Sequence, residues 1–282
     1  MIYQVKADIV KNVRVSSKIY RMELAMPKIS SLVKPGQFIH LRINNSFDPL
    51  LRRPFSVNKV IKNKKGKVIN ICVLYEIVGK GTSLLAEKCS GDILDVLGPL
   101  GNGFAFNDAL LKNKQIILVA GGMGIAPLLF LVERLKDKRT KNKPVIFIGS
   151  RTKRDLVCLD EFKKAGCIVK ISTDDGSLGF KGYVSELVEN FLTNCQPLIP
   201  NPYIYACGPS PMLKKVQSIA SEYNLKGQVS LDEMMGCGIG ACLGCVVKAK
   251  TSGAGEDDNQ PVYKRICKDG PVFDIQDIQW ED

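Results

Sequence analysis

From about residue 112 the sequence alternates apolar runs with amphipathic ones, and this pattern restricts the possible folds more than any other feature. QIILVAGG is an apolar run ending in glycines, followed by the helix candidate IAPLLFLVERLKDK. PVIFIGS, CIVKIST and PYIYACG read as further strands; RDLVCLDEFKKAG, YVSELVENFL and PSPMLKKVQSIASEY read as helices. Continuously apolar strands between amphipathic helices are covered on both faces, so the pattern predicts an open parallel sheet with helices on both sides. Such sheets bind ligands at the carboxyl ends of their strands. There, LVAGGMGIAPL (118–128) places Gly121, Gly122 and Gly124 between a strand and a helix opening near Ile125. This is not a strict G-x-G-x-x-G fingerprint, but small residues still let a phosphate approach a helix N-terminus. YACGPSPML (205–213) ends another strand at the same edge with Cys207, Gly208 and Pro209. Arg151, Lys153 and Arg154 suit a nucleotide 2′-phosphate, whereas Asp174 and Asp175 oppose one.

The first 107 residues carry no such alternation. ADIVKNVRVS, IYRMELAM, FIHLRIN and VINICVLYEIV are β-rich runs separated by Pro, Gly, Asn and Lys clusters. That spacing predicts an antiparallel barrel. Within it, LRRPFSV (51–57) puts Arg53, Pro54, Phe55 and Ser56 at the end of a strand. An arginine there can neutralise a pyrophosphate through paired hydrogen bonds, with the serine facing a flavin edge. VGKGTSLL (78–85) places Gly79, Gly81 and Thr82 at a turn opening a helix, where free N–H groups suit phosphate. GPLGNGF (98–104) reads as a tight turn. Taken singly, each of these is an ordinary strand end or turn; their order and spacing give the set its weight.

The tail from 228 is rich in glycine and cysteine and too poor in apolar residues to fold alone. It contains Cys237, Cys242 and Cys245, then 21 residues, then Cys267. The N-terminus has no apolar run suited to export, so the expected compartment is the cytoplasm, where clustered thiols bind metal rather than pair. C-x4-C-x2-C…C is the plant-type spacing for a 2Fe–2S cluster. Gly236, Gly238, Gly240 and Gly244 permit tight turns that bare N–H groups toward the sulfurs. Structural zinc remains an alternative, although zinc ribbons favour paired C-x2-C knuckles. The other six cysteines (Cys72, Cys89, Cys158, Cys167, Cys195, Cys207) read as buried and unreactive. The segment TSGAGEDDNQ (251–260) reads as a solvated loop.

Charge excludes some functions. The chain of 282 residues has a formal net charge of +12, yet residues 231–282 carry 5 Lys/Arg against 10 Asp/Glu. With no dense basic helix or basic stripe interleaved with aromatics, nucleic acid is not the expected partner. A basic body does attract pyridine nucleotides. No apolar stretch is long enough to span a bilayer.

RPFS (53–56), GKGTSLL (79–85), GPLGNGF (98–104), GGMGIAPL (121–128) and CGPSPML (207–213) occur in the order found in the ferredoxin reductase-like flavoproteins. Together with DEMMGCGIGACLGCVVK (232–248) and RICKDGPVF (265–273), they make the chain resemble the electron transfer subunits of NAD-dependent (class B) dihydroorotate dehydrogenase. The resemblance implies three domains: an FAD-binding β-barrel (1–107), an NAD-binding α/β domain (108–227) and a small 2Fe–2S domain (228–282). It implies that Arg53 and Ser56 hold FAD, with Pro54 and Phe55 between them, and that Gly79, Gly81 and Thr82 lie at its phosphates. Cys207, Gly208 and Pro209 border the nicotinamide, and Cys237, Cys242, Cys245 and Cys267 ligate iron. It implies a separate catalytic subunit carrying FMN, assembled as a heterotetramer with two of each chain. Electrons then pass between dihydroorotate and NAD through FMN, the cluster and FAD. The only histidine, His40, is expected to be structural. A flavin and iron–sulfur subunit of an NAD(P)H–ferredoxin oxidoreductase or a hydrogenase is the alternative, and a zinc-bound adaptor is a third reading.

Overall fold

A computed structural model describes residues 1–136, 143–195, 201–250 and 262–280. The segment 251–260 expected as a solvated loop lies outside the described residues.

Six strands close the N-terminal barrel: β1 (Tyr3–Arg14), β2 (Ile19–Ala25), β3 (Phe38–Arg42), β4 (Arg53–Lys62), β5 (Val68–Glu76) and β6 (Ile93–Leu100). They run antiparallel in the order β1-β2-β5-β4-β3-β6. Alternation fills the barrel with Met22, Leu24, Ile39, Leu41, Phe55, Val57, Ile71 and Val96. Register shifts in β1, β3 and β4 supply the bends that closure needs. Two short helices, α1 (Pro27–Ser30) and α2 (Lys80–Ala86), lie in the connections. Two sequence expectations are corrected here. Arg53 begins a strand rather than ending one, because the apolar alternation runs downstream through Phe55 and Val57 while Leu50 and Leu51 stay exposed. Gly98, Pro99 and Leu100 belong to β6, and the turn begins only at Gly101.

The second body is built from α3 (Asp108–Leu111), β7 (Gln115–Gly121), α4 (Ile125–Leu135), β8 (Val145–Ser150), α5 (Leu159–Lys164), β9 (Ile168–Thr173), β10 (Phe180–Lys181), α6 (Val184–Cys195), β11 (Pro202–Cys207), α7 (Ser210–Glu222) and β12 (Lys226–Ser230). The tail supplies β13 (Val246–Ala249), β14 (Val262–Arg265) and β15 (Val272–Asp274). The main sheet is ordered β10-β9-β8-β7-β11-β12-β15. It is parallel except at its edge, where β15 runs antiparallel to β12. The helix expected over 154–166 is only α5: Cys158 stands at its N-cap with φ +62. Arg21 of the barrel holds that corner, with Nη2 at 3.2 Å from Cys158 Sγ and 2.7 Å from Glu161 Oε1. A long-range contact thus breaks a locally helical pattern.

The short tail has no separate core. Cys245, Ile266, Cys267, Phe273, Ile275 and Ile278 join one cluster with Val216, Ile219 and Val229 of the α/β body and Phe38 and Leu100 of the barrel. This docking is what lets so small a segment hold a fixed shape. Among the described residues, no helix is long and apolar enough to cross a membrane.

Candidate cofactor and metal sites

Arg53 leaves the barrel end toward the α2 turn: a Cβ on Gly81 would lie 3.0 Å from its Nε. The structure therefore brings Arg53, Gly79, Gly81 and Thr82 together. Thr82 serves the turn itself, since its Oγ1 accepts from the N–H groups of Val78 (2.9 Å) and Gly79 (3.2 Å) and donates to the Gly79 carbonyl (3.0 Å). A fixed cation beside a helix start is an anion-binding arrangement.

Ser56 faces a different way. Pairing between β3 and β4 sets Phe38 opposite Ser56, Ile39 opposite Phe55, His40 opposite Pro54 and Leu41 opposite Arg53. Directly opposed residues share a face. Ile39 and Phe55 point into the barrel, where Phe55 meets the Tyr75 ring edge-on at 5.8 Å. Phe38, His40, Pro54 and Ser56 therefore line the outer face, and Phe38 belongs to the core cluster that also holds Cys245 and Cys267 of the tail. Pro54 and Ser56 stay half-buried on this face.

At the sheet edge, the turns after β7 and β11 interlock. A Cβ on Gly124 would sit 1.9 Å from the Cys207 carbonyl oxygen. One on Gly121 would meet Met212 Sδ at 2.6 Å and Pro209 Cδ at 2.9 Å, and one on Gly208 would meet Met212 Cε at 2.7 Å. Gly122 differs: its φ is +52 and nothing lies within 4 Å of a Cβ built there. The open side of the loop is thus at Gly122. Burial pushes the Cys207 thiol up to about 12, so it stays protonated, as a small residue closing β11. Arg151, Lys153 and Arg154 are exposed beside the Asp174–Asp175 loop, tied to it by the Lys153 N–H donating to Ser177 Oγ at 2.8 Å.

The cysteine loop surrounds its sulfurs with backbone donors. Ile239, Ala241 and Cys242 direct N–H groups at Cys237 Sγ at 3.5, 3.3 and 3.4 Å. Gly240 N–H reaches Cys267 Sγ at 3.1 Å and Cys267 N–H reaches Cys245 Sγ at 3.5 Å. Partial burial opposes the Cys237 thiolate, but these N–H groups outweigh it and draw the thiol down to about 6. Burial, then Cys245 beside it, pushes Cys267 up to about 12. Gly238 (φ +71), Gly240 (φ +81) and Leu243 (φ +57) make the curvature. Arg265 pins the loop by donating from Nη1 to the Gly240 carbonyl at 3.2 Å while paired with Asp269. Among the described residues, no three His, Cys, Asp or Glu side chains form a group suited to one metal ion. The sulfurs come instead as neighbours, Cys237 with Cys242 and Cys245 with Cys267. Two cysteine pairs ringed by N–H donors fit a two-iron cluster, which these four sulfurs would hold.

Of the scattered cysteines, Cys72, Cys158, Cys167 and Cys207 are buried, whereas Cys89 is exposed, in correction of its expected burial. Cys89 follows α2 on the surface, among the polar residues Glu87, Lys88 and Ser90, which do not cover it. The side chain of Cys195 lies outside the described residues. Sequence reasoning missed two buried polar groups. Asn58, fully buried on β4, joins barrel to α/β body by donating Nδ2 to the Ala126 carbonyl at 3.2 Å. His40, expected to be structural, is fully buried against the cysteine loop; burial, then Arg52, lowers it to about 4, leaving the imidazole neutral. Its place in an alternating strand indicated burial without indicating the neighbour.

A closed antiparallel barrel joined to a parallel sheet is the architecture of the ferredoxin reductase-like flavoproteins, here extended by an iron–sulfur tail. A ferredoxin–NADP⁺ reductase from Neisseria gonorrhoeae, solved with FAD and NADP, shares the fold at TM-score 0.63 and 18% identity, over 78% of this chain and 91% of that one. An NADH-dependent reduced ferredoxin–NADP oxidoreductase, solved in work on flavin-based electron bifurcation, matches at TM-score 0.78 and 29% identity, over 97% and 90%. Residues 118–218 match the oxidoreductase NAD-binding domain, and residues 232–279 the iron–sulfur cluster binding domain of dihydroorotate dehydrogenase B. The electron transfer subunit of dihydroorotate dehydrogenase B (NAD(+)) from Desulforamulus reducens is 40% identical over 95% of both chains. That from Caldanaerobacter subterraneus subsp. tengcongensis is 37% identical over 99% of both. The chain belongs to this family of electron transfer subunits.

Proposed function

We propose that the chain relays electrons between NAD and a catalytic partner subunit that carries FMN and oxidises dihydroorotate, in the cytoplasmic synthesis of pyrimidines, as a heterotetramer with two of each subunit. Family membership supports the role of electron transfer subunit. The observation that carries the reading is the outer face of β3 and β4: it bears Ser56, and the cysteine loop lies against its His40. When bound, FAD exchanges a hydride with NAD and the 2Fe–2S cluster carries single electrons; the protein's part is position and electrostatics.

Arg53 and the α2 turn hold a pyrophosphate, and Ser56 offers a hydroxyl at the flavin edge. The interlocked turns fix the nucleotide edge of the sheet, and Gly122 leaves room for a phosphate. Cys237, Cys242, Cys245 and Cys267 hold iron, and the loop N–H groups stabilise charge on their sulfurs. In the cysteine segment Met234, Ile239 and Leu243 are exposed, as is Cys242, and these offer the partner apolar surface.

Anaerobically purified protein is expected to contain FAD and two irons per chain. It is expected to oxidise NADH with artificial acceptors and to leave dihydroorotate untouched until the catalytic subunit is added. Turnover of dihydroorotate by the chain alone overturns the division of labour. Copurification from native cells with a ferredoxin-linked or hydrogenase subunit instead supports the alternative assembly.

A further inference from the structure

His40 lies in the middle of β3 with no solvent exposure. Its neighbours Ile39 and Leu41 enter the barrel core, so the strand's alternation turns His40 outward, with Phe38, toward the tail. The cysteine loop comes down on it. A Cβ on Gly238 would lie 2.5 Å from His40 Nδ1 and 3.1 Å from Cε1, so the loop backbone rests directly on the imidazole. Gly238 also has φ +71, and glycine meets both demands at once. The Cys237 backbone carbonyl approaches the same ring, although neither ring nitrogen closes a well-aligned hydrogen bond within the protein. On its other side, His40 is paired with Pro54. Ser56 is then its diagonal neighbour on that face, about 7–8 Å away by sheet geometry. One side chain thus touches the loop of an iron ligand and stands beside the strand that bears the flavin-edge serine.

We propose that His40 is a positioning residue for the relay: its imidazole seats the Cys237–Gly238 backbone on the outer face of β3 and β4 and thereby sets the cluster's place relative to the flavin edge. The inference rests on the relay function proposed above. Phenylalanine at this position keeps the bulk of the ring but removes both nitrogens. Asparagine keeps a polar group that can reach the Cys237 carbonyl. Gly238→Ala lifts the loop off the ring while leaving His40 in place.

The test uses anaerobic, FAD- and iron-loaded full-length protein, with NADH as reductant. Electron paramagnetic resonance of the reduced cluster and stopped-flow bleaching of its absorbance are the readouts; flavin and iron per chain are the folding controls. His40→Phe and Gly238→Ala are each expected to shift the cluster's g-values and to slow its reduction by NADH at least tenfold. His40→Asn is expected to recover the native spectrum in part. Native spectra and native reduction rates in iron-replete His40→Phe overturn the proposal. If His40→Phe does not retain iron, Gly238→Ala and His40→Asn decide: native behaviour in both overturns it, and a shift in Gly238→Ala with partial recovery in His40→Asn supports it. Failure of NADH to reduce the cluster of the unmodified protein defeats the relay itself, which is a different result from variants that match it.

Discussion

The two glycine-rich loops of this chain use the same residue in different proportions for two purposes, close packing and positive φ. At the nucleotide edge, Gly121, Gly124 and Gly208 are needed because protein packs against protein, with a Cβ on Gly124 falling 1.9 Å from a carbonyl oxygen. In the cysteine loop, a Cβ on Gly236 or Gly244 would meet only the Cys242 sulfur, at 3.4 and 3.6 Å, while Gly238 and Gly240 supply positive φ where the backbone also lies against the side chains of His40 and Lys268. The first loop is held by backbone packed on backbone, and the second is a curved set of N–H donors aimed at sulfur. Stability and ligand retention should therefore separate cleanly between them.

Gly124→Ala is expected to have the largest effect on folding. No flexible side chain can yield at that contact, so the two turns must move apart. Overpacking of this kind costs about 3 kcal/mol or more. At roughly 2–4 °C per kcal/mol, the unfolding midpoint should fall by about 6–12 °C. Differential scanning calorimetry of iron-free protein checks this, and an unchanged midpoint breaks the comparison. Cys237→Ser should do the reverse. Iron per chain falls to near zero, while the tail stays docked through Ile266, Phe273, Ile275 and Ile278 and the midpoint moves less than in Gly124→Ala. Iron assay and calorimetry on the same sample decide it.

Arg53→Ala tests the anion-binding arrangement at the barrel end, which pairs a side chain with a turn. Losing a charge-assisted contact of about 1.5–3 kcal/mol corresponds to roughly 10- to 100-fold weaker FAD binding. Equilibrium dialysis against FAD reads this directly. Unchanged affinity removes Arg53 from the site and leaves the α2 turn as the anion contact.

What the sequence disclosed follows the same divide. QIILVAGG, PVIFIGS and PYIYACG announce buried parallel strands because each is apolar along its whole length. The cysteine spacing announces its ligand because four thiols at those intervals suit few groups. Facts decided by distant contacts were not legible. The corner at Cys158 that interrupts the pattern over 154–166 is contacted by Arg21 of the barrel. β15 is only three residues long, and its place on the main sheet comes from pairing with β12 rather than from its own composition. GGMG reads as a phosphate loop and CGP as a border of the nicotinamide, yet three of their four glycines are explained by each other's backbone and by Met212 and Pro209. His40 sat in a recognisable strand, but periodicity assigns a face, not the loop that covers it.

Gly122→Ala is the smallest expected change and the sharpest test of that last distinction. Because nothing lies within 4 Å of a Cβ there, the methyl group displaces no protein atom. The remaining cost is that of φ +52 for a residue with a Cβ, about 1–2 kcal/mol, or a fall of roughly 2–8 °C in the midpoint. The methyl group does enter the open side of the loop, where a phosphate would approach. A rise in the KM for NADH with artificial acceptors, at nearly constant kcat, is therefore expected alongside this modest loss of stability. If stability falls as far as in Gly124→Ala, the loop is tighter than its geometry indicates. If the KM does not move, the pyrophosphate lies elsewhere along the sheet edge, and the interlocked glycines are a packing device alone.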